Sequence, residues 1–351
     1  MSTSSCGTFV FDWARPVSEV ARVGFEVLRL ADPTEVVESI VTEMRRVVKG
    51  FRRRGGVLGL SGGIDSTVVA ALAARAFGPE HVLGVLMPEA ESSPDTLRLS
   101  RLAAEATGIH TVLEDITPTL EALGCYRRRD EAFRKVLPDY AAGWKAKLVL
   151  PSVVDSDAFR LFSVVALDPE GREHRARLTA DAYREVVAAT NFKQRTRKML
   201  EYHHADRLNY AVLGTPNRLE YDQGFFVKNG DGSADVKPIA HLYKSQVYQV
   251  AEVLGVPDEI RTRPPTTDTY AMPQSQEEFY FSVPYDHMDL CLHAVDRPLP
   301  PEAIAEALDL APVQVERVFA DIAAKRRMAR YLHAPPVALE AMETIALAES
   351  E

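Results

Sequence analysis

Between residues 56 and 77 an apolar run, Gly56-Val57-Leu58-Gly59-Leu60, passes through Ser61-Gly62-Gly63-Ile64-Asp65-Ser66 into an alanine-rich stretch that reads as a helix to Phe77. A strand that turns through paired glycines straight into a helix fits an open α/β sheet with a ligand at the turn. The glycines allow a tight bend and bring bare N–H groups close to a bound group. The helix N-terminus adds partial positive charge, and the hydroxyls of Ser61 and Ser66 add donors. Asp65 would repel bare phosphate, but it fits if Mg²⁺ bridges its carboxylate and phosphate oxygens. The loop thus reads as a pyrophosphate cradle with a metal hook; the plainer alternative is a glycine turn with Asp65 as a helix cap. It lacks the GK[ST] ending of a kinase or GTPase loop and the GxGxxG of a dinucleotide oxidoreductase.

Around this loop, strands alternate with helices. Asp32-Pro33-Thr34 reads as a helix start, and Val37, Ile40, Val41, Met44, Val47 and Val48 recur at helical spacing. Strands are predicted at 56–60, 81–87, 110–116 and 210–213, and helices at 65–77, 94–107 and about 179–204. That alternation implies a Rossmann-like α/β fold, a parallel sheet with helices on both faces. Phe159 to Leu167, the turn Asp168-Pro169-Glu170-Gly171, and the alternating run Arg172 to Leu178 read as a β-hairpin. We take about 148–178 as an insertion in a main domain of 34–285, preceded by an extension, 1–33, and followed by a helical C-terminal segment, 286–351. A Pro- and Thr-rich loop spans Arg263 to Gln276.

Composition excludes several classes. With 41 basic and 50 acidic side chains the formal charge is −9, against a protein that coats nucleic acid. Cys6, Cys125 and Cys291 lie far apart with no clip spacing, against a disulfide framework or zinc ribbon. No apolar run reaches membrane-spanning length and the N-terminus lacks a secretory pattern, so a soluble cytoplasmic protein is expected.

At the loop, the sequence resembles the PP-loop ATP pyrophosphatases, which cleave ATP between its α- and β-phosphates. Further motifs follow in order: Asn191-Phe192-Lys193-Gln194-Arg195-Thr196-Arg197-Lys198-Met199 on a helix; Gly214-Thr215-Pro216-Asn217-Arg218-Leu219-Glu220 after a strand; Gly224-Phe225-Phe226-Val227-Lys228; Gly230-Asp231-Gly232-Ser233-Ala234-Asp235; Leu242-Tyr243-Lys244-Ser245-Gln246; and Pro264-Pro265-Thr266-Thr267-Asp268. This ordered set resembles the ammonia-dependent NAD synthetase family from about Asp32 to Asp289, apart from the insertion. Each motif also has a reading of its own. Thr215 and Glu220 sit where open α/β sheets bind ligands. Glu220 can join Asp65 on Mg²⁺. Lys228 and Lys244 suit phosphate or carboxylate oxygens.

The resemblance implies that Ser61, Gly62, Gly63, Asp65 and Ser66 hold the pyrophosphate side of ATP, with Arg195, Thr215, Lys244 and Thr266 also on ATP. Asp65 and Glu220 would be the metal carboxylates, and Asp65, Lys244 and Glu220 the catalytic set. Asn191, Lys228, Asp231 and Asp235 would contact the acid, nicotinate adenine dinucleotide. It further implies ATP as cosubstrate, Mg²⁺, adenylation of the carboxylate followed by ammonia attack, and a homodimer with the acid site at the subunit interface. No stretch is long enough for a glutaminase domain, so ammonia would be free or come from a separate glutaminase.

Four features depart from the family pattern: Pro216; Asn229; the stretch Gln274 to Phe281, with Gln276 and Phe281; and Ala324 before Lys325-Arg326. An aromatic lid of Phe279, Tyr280, Phe281 and Tyr285 could enclose a different acid. The alternatives are therefore an amide ligase for another carboxylate, a non-catalytic nucleotide-binding module, and a tRNA thiolation enzyme, the last disfavoured by acidity and the missing CxxC.

Overall fold

The computed structural model describes residues 22–154, 161–264, 270–272, 274–281 and 283–339. Among these residues the strands are Gly56–Gly59 (β1), Val82–Leu86 (β2), His110–Leu113 (β3), Lys145–Val149 (β4), Ser163–Leu167 (β5), Glu173–Arg177 (β6) and Ala211–Val212 (β7). The helices are Pro33–Gly50 (α1), Ile64–Phe77 (α2), Pro94–Thr107 (α3), Thr117–Ala122 (α4), Cys125–Arg134 (α5), Ala180–Leu208 (α6), Arg218–Gln223 (α7), Lys244–Val253 (α8), Asp258–Arg261 (α9), Tyr285–Asp296 (α10), Glu302–Ala305 (α11) and Pro312–His333 (α12).

The central sheet runs β3-β2-β1-β7, every pair parallel. Val57 in β1 faces Leu83 of β2 on one side and Val212 of β7 on the other. The chain first moves outward from β1 through β2 and β3, then returns to its opposite side as β7. That reversal opens a crevice beyond the carboxyl ends of β1 and β7, where doubly wound sheets bind ligands. Beyond β7, Leu213 bridges Val236 in parallel and extends the edge.

Both faces of the sheet are covered. On one, Val37, Ile40, Val41 and Met44 of α1 pack with Val68, Val69 and Leu72 of α2 and Val247, Val250 and Ala251 of α8. On the other, Val57, Val85 and Val212 meet Ile116, Leu120, Cys125 and Ala205 from the segment before α4 and from α4, α5 and α6. The predicted helix start at Asp32 is present: its carboxylate accepts from the N–H groups of Thr34 (2.8 Å) and Glu35 (3.1 Å), with Pro33 in the first turn.

The inserted excursion is larger than the predicted hairpin. It is a three-stranded antiparallel sheet, β4-β5-β6, and starts at Lys145 rather than Leu148. Its buried face, Ala146, Leu148, Val164 and Ala166, packs on Phe133 of α5 and on Ala182 and Val186 of α6. The turn into β6 is held by Asp168, which accepts from the backbone N–H of Arg172 (2.8 Å), its guanidinium (2.7 Å) and His174 (3.0 Å). Phe159 and Arg160 of the expected strand lie outside the described residues.

Helix α6 runs 29 residues, four beyond the expected end at His204, to a left-handed cap at Asn209. The helices α10, α11 and α12 form their own apolar cluster around Leu290, Leu292, Ile304, Val318 and Ile322. Leu28, from the segment before α1, is buried in the same cluster, and Val23 N–H donates to Ala303 O at 2.8 Å.

Candidate active site

The glycine loop lies in the crevice. Gly62 has φ +74°, and a Cβ there would come 2.7 Å from both Leu99 Cβ and Ser100 N, so a side chain is excluded by conformation and by space. Gly63 has ordinary extended backbone as the residue before α2, and a Cβ there would meet only Ser61 Oγ at 3.4 Å. The hydroxyls expected to donate outward brace the loop itself. Ser66 Oγ donates to Gly63 O at 3.0 Å and pairs with Ser61 Oγ at 3.1 Å, while Ser61 Oγ accepts from Gly63 N–H at 3.3 Å.

Beside the loop, four side chains from distant parts of the chain converge. The Lys244 ammonium at the start of α8 ion-pairs with Asp65 Oδ2 in the first turn of α2. Lys244 is 2% exposed and Asp65 16%. The Asn217 side-chain amide donates to Asp65 Oδ1 at 3.2 Å. Asn217 also begins α7 with a capping box: its Oδ1 accepts from Glu220 N–H, and its own N–H donates to Glu220 Oε2, both at 3.2 Å. Gln276 Nε2 donates to Glu220 Oε1 at 3.0 Å. The two expected metal carboxylates thus stand on either side of one asparagine.

The electrostatics fit a cation. Burial and the neighbouring Asp65 charge push the Glu220 carboxyl up to about 8, with Lys244 opposing. Burial works against the Lys244 ammonium, but the charges of Asp65 and Glu220 outweigh it and raise its pKa above the ordinary lysine value. Among the described residues no group of three or more His, Cys, Asp or Glu side chains could hold a metal. A two-carboxylate site suits Mg²⁺, which completes its shell with phosphate oxygens and water.

Behind the loop opens a cavity of about 430 Å³, lined by Ser61, Thr215, Pro216 and Glu220 at one side and by α6 and aromatic rings at the other. That volume falls within the range of small-molecule sites, roughly 300–1,000 Å³. Of the residues expected on ATP or the acid, Ser61, Thr215, Asn191 and Asp231 line it, as does the expected metal carboxylate Glu220. Asp231 accepts from Val227 N–H at 2.7 Å, and burial raises its carboxyl pKa.

Gly62, Gly63, Asp65, Ser66 and Lys244, in the loop and beside it, are not among the lining residues, and neither are Arg195, Lys228 and Asp235. Arg195 is exposed, with Nε donating to Lys228 O at 3.3 Å. Lys228 Nζ donates to the carbonyls of Tyr331 (2.7 Å) and Ala334 (2.9 Å) at the end of α12. Asp235 Oδ2 accepts from Val212 N–H at 2.8 Å along the edge of β7. Thr266 lies outside the described residues.

Several site residues carry no separate role in the sequence reading. The face of α6 toward the cavity is Thr190, Lys193, Gln194, Arg197, Lys198 and Glu201. Arg195 is two residues, or roughly 200° around the helix, from Arg197, so the phase of α6 turns Arg197 inward. Lys193 is buried between Glu89 Oε1 (2.8 Å) and Glu91 Oε2 (2.7 Å). Asp289 of α10 caps α8, accepting from Lys244 N–H (3.1 Å) and Ser245 N–H (2.7 Å), and so fixes where Lys244 begins. The expected aromatic lid divides. Phe279 and Tyr280 line the cavity, whereas Phe281 is buried in the C-terminal cluster and Tyr285 stacks on Tyr248 at 5.4 Å.

The NAD synthase family profile matches residues 36–137 and 163–331. A protein named NH(3)-dependent NAD(+) synthetase from Rhizobium meliloti (strain 1021) is 56% identical over 320 residues, 91% of this chain and 96% of the relative. Its counterpart in Mesorhizobium japonicum (strain LMG 29417 / CECT 9101 / MAFF 303099) is 58% identical over 307 residues, 87% of this chain and 96% of the relative. Among solved structures, an NMN synthetase from Francisella tularensis superposes with a TM-score of 0.61 over 88% of this chain and 98% of that one; at 21% identity the likeness shows the fold alone.

Proposed function

The chain belongs to the NAD synthase family, and from that premise we propose the following account of its reaction and site. It is an ammonia-dependent ligase that consumes ATP and converts nicotinate adenine dinucleotide to NAD, with AMP and pyrophosphate as the other products. The supporting observation is the convergence of Asp65, Asn217, Glu220 and Lys244 beside the glycine loop at the crevice.

In the first step a carboxylate oxygen of the acid attacks the α-phosphorus of ATP. The bond from that phosphorus to the bridging oxygen breaks, and pyrophosphate leaves with the electron pair. Backbone N–H groups of the loop and the N-terminus of α2 face the departing phosphates, and Lys244 adds positive charge beside them. Asp65 and Glu220 would hold Mg²⁺, which when bound neutralises charge on the leaving group. Thr215 and Arg197 lie on the cavity wall and would orient the nucleotide. In the second step ammonia attacks the acyl carbon, AMP departs with the bond pair, and the nitrogen loses a proton to form the amide. Phe279 and Tyr280 on the wall limit water, which would hydrolyse the adenylate.

Asn191 and Asp231 are the acid-side contacts that this cavity supports. Lys228, Arg195 and Asp235, outside its lining, fit a site completed by a second copy, in keeping with a homodimer. Ammonia would come free from solution or from a separate glutaminase, in the cytoplasm. Among the described residues no helix is long and apolar enough to cross a membrane.

The test is incubation of the purified protein with ATP, Mg²⁺, ammonium and nicotinate adenine dinucleotide, read by chromatography. NAD and AMP in equal amounts are expected. AMP formation only with a different carboxylic acid would favour a divergent amide ligase, and nucleotide binding without turnover a binding module.

A further inference from the structure

The family match skips residues 138–162 and with them all of β4, the first strand of the inserted sheet, and resumes at β5. In the central sheet β1 has strand partners on both sides, whereas among the described residues β4 is an edge strand, paired with β5. A second segment comes to that edge. Gln274, 3% exposed, donates from Nε2 to the carbonyl of Leu148 in β4. Two residues later, Gln276 Nε2 donates to Glu220 Oε1 at 3.0 Å. The segment then forms a π-helical turn, Glu277–Phe281, along α7. There Tyr280 OH donates to Gln223 O at 2.8 Å, one helical turn after Glu220, and Lys325 Nζ of α12 donates to Tyr280 O at 2.7 Å. Phe162, just before β5, adds its ring to the cavity wall, stacked on Tyr183 at 4.6 Å and 6.2 Å from Phe279.

Glu220 therefore has one donor on each oxygen. The donor on Oε2 belongs to its own helix cap; the donor on Oε1 belongs to a strap whose near end is docked on the insert. Without the Gln276 amide that oxygen would be free to rotate toward Lys244 or solvent. We infer that the inserted sheet is a working part of the active site: β4 anchors Gln274, and Gln276, two residues on, is a positioning residue that aims the Glu220 carboxylate at the metal. The amide at 276 is suited to this because it donates, whereas a carboxylate there would repel Glu220. This inference rests on Glu220 being a metal carboxylate, as proposed above.

The test is calorimetric titration of Mg²⁺ into the full-length protein saturated with α,β-methylene ATP, beside steady-state NAD formation and urea unfolding. Loss of one charge-assisted hydrogen bond predicts that Gln276→Ala weakens Mg²⁺ binding about tenfold. The KM for the acid should stay within about twofold and the unfolding midpoint little changed. Gln274→Met, which removes the anchor and keeps Gln276, should weaken Mg²⁺ binding in the same direction. The double variant should be no worse than Gln276→Ala alone, because both changes act through one contact. Unchanged Mg²⁺ affinity in Gln276→Ala, or independent additive losses in the double variant, would overturn the inference. Should Gln274→Met fail to fold, Gln276→Ala with Gln276→Glu decides alone, since the carboxylate should weaken Mg²⁺ binding at least as much. Glu220→Gln separates the two readings. If it leaves Mg²⁺ affinity unchanged, the metal assignment falls and the inference with it; if it weakens binding while Gln276→Ala does not, only the inference falls.

Discussion

Asn217 donates its side-chain amide to Asp65 across 152 residues of sequence, at 3.2 Å, while its backbone N–H serves Glu220. One asparagine thus sets the spacing of two carboxylates that belong to different helices. Asn217→Ala removes the cap of α7 and the link to Asp65 together. It should cost about 1–2 kcal/mol in urea unfolding and weaken Mg²⁺ binding. Asn217→Asp retains the cap but places a third negative charge beside Asp65, so stability should largely return while turnover stays low.

Asp65 and Lys244 form a pair whose members fail differently. Asp65→Asn leaves the Lys244 ammonium buried against an amide, at a cost of about 3 kcal/mol, and should lower kcat by ~10²–10³-fold. Adding Lys244→Met removes the stranded charge. Denaturation should then show part of the stability restored, while product formation stays at the level of the single variant or below. Recovery of activity in the double variant would contradict roles for both groups.

The glycines of the loop separate folding from binding. Gly62→Ala forces an L-residue to φ +74° against backbone at 2.7 Å, and should destabilise the chain by about 2 kcal/mol or more. Gly63→Ala has the space for its methyl, with nothing nearer than 3.4 Å. It should leave the unfolding midpoint almost unchanged and weaken ATP binding, because the methyl stands where phosphate approaches.

Asp289 gives a pH signature. Burial pushes its carboxyl up to about 7, against the backbone donors of Ser245 and Lys244 that favour the anion. An unfolded aspartate titrates near ~3.9, so between there and about 7 the folded chain binds more protons than the unfolded one. Its contribution to stability is therefore greatest below ~4 and falls as pH rises to about 7, by at most ~4 kcal/mol. Urea unfolding at pH 5 and pH 8 should show a smaller drop in Asp289→Asn than in the unsubstituted protein. Equal drops would mean that the carboxyl is ionised throughout.

What the sequence discloses about this site follows from how local each signal is. The glycine loop, the cap at Asp32 and the turn at Asp168 are readable because each is set by neighbours within a few residues. The parallel sheet is readable from alternation alone, since buried strands are short and apolar throughout. The capping box of Asn217 and Glu220 is local too, but the reach from Asn217 to Asp65 depends on β1 and β7 lying side by side. Arg195 and Arg197 are equivalent in a motif and differ only in the phase of α6, which packing against α5 and the sheet decides. Lys145–Val149 is invisible as a strand because its polar residues resemble a loop until β5 pairs with it. Asp289 and Gln276 act on groups 45 and 56 residues away, and no periodicity carries that information.

The most direct test of the central claim, that the acid's carboxylate attacks the α-phosphorus beside the glycine loop, is oxygen-18 transfer. Nicotinate adenine dinucleotide labelled with oxygen-18 in its carboxylate is turned over with ATP, Mg²⁺ and ammonium, and the products are read by mass spectrometry. Label in AMP, matching the NAD formed, with unlabelled pyrophosphate is the predicted result. ADP with labelled phosphate, or NAD formed while AMP carries no label, would contradict it.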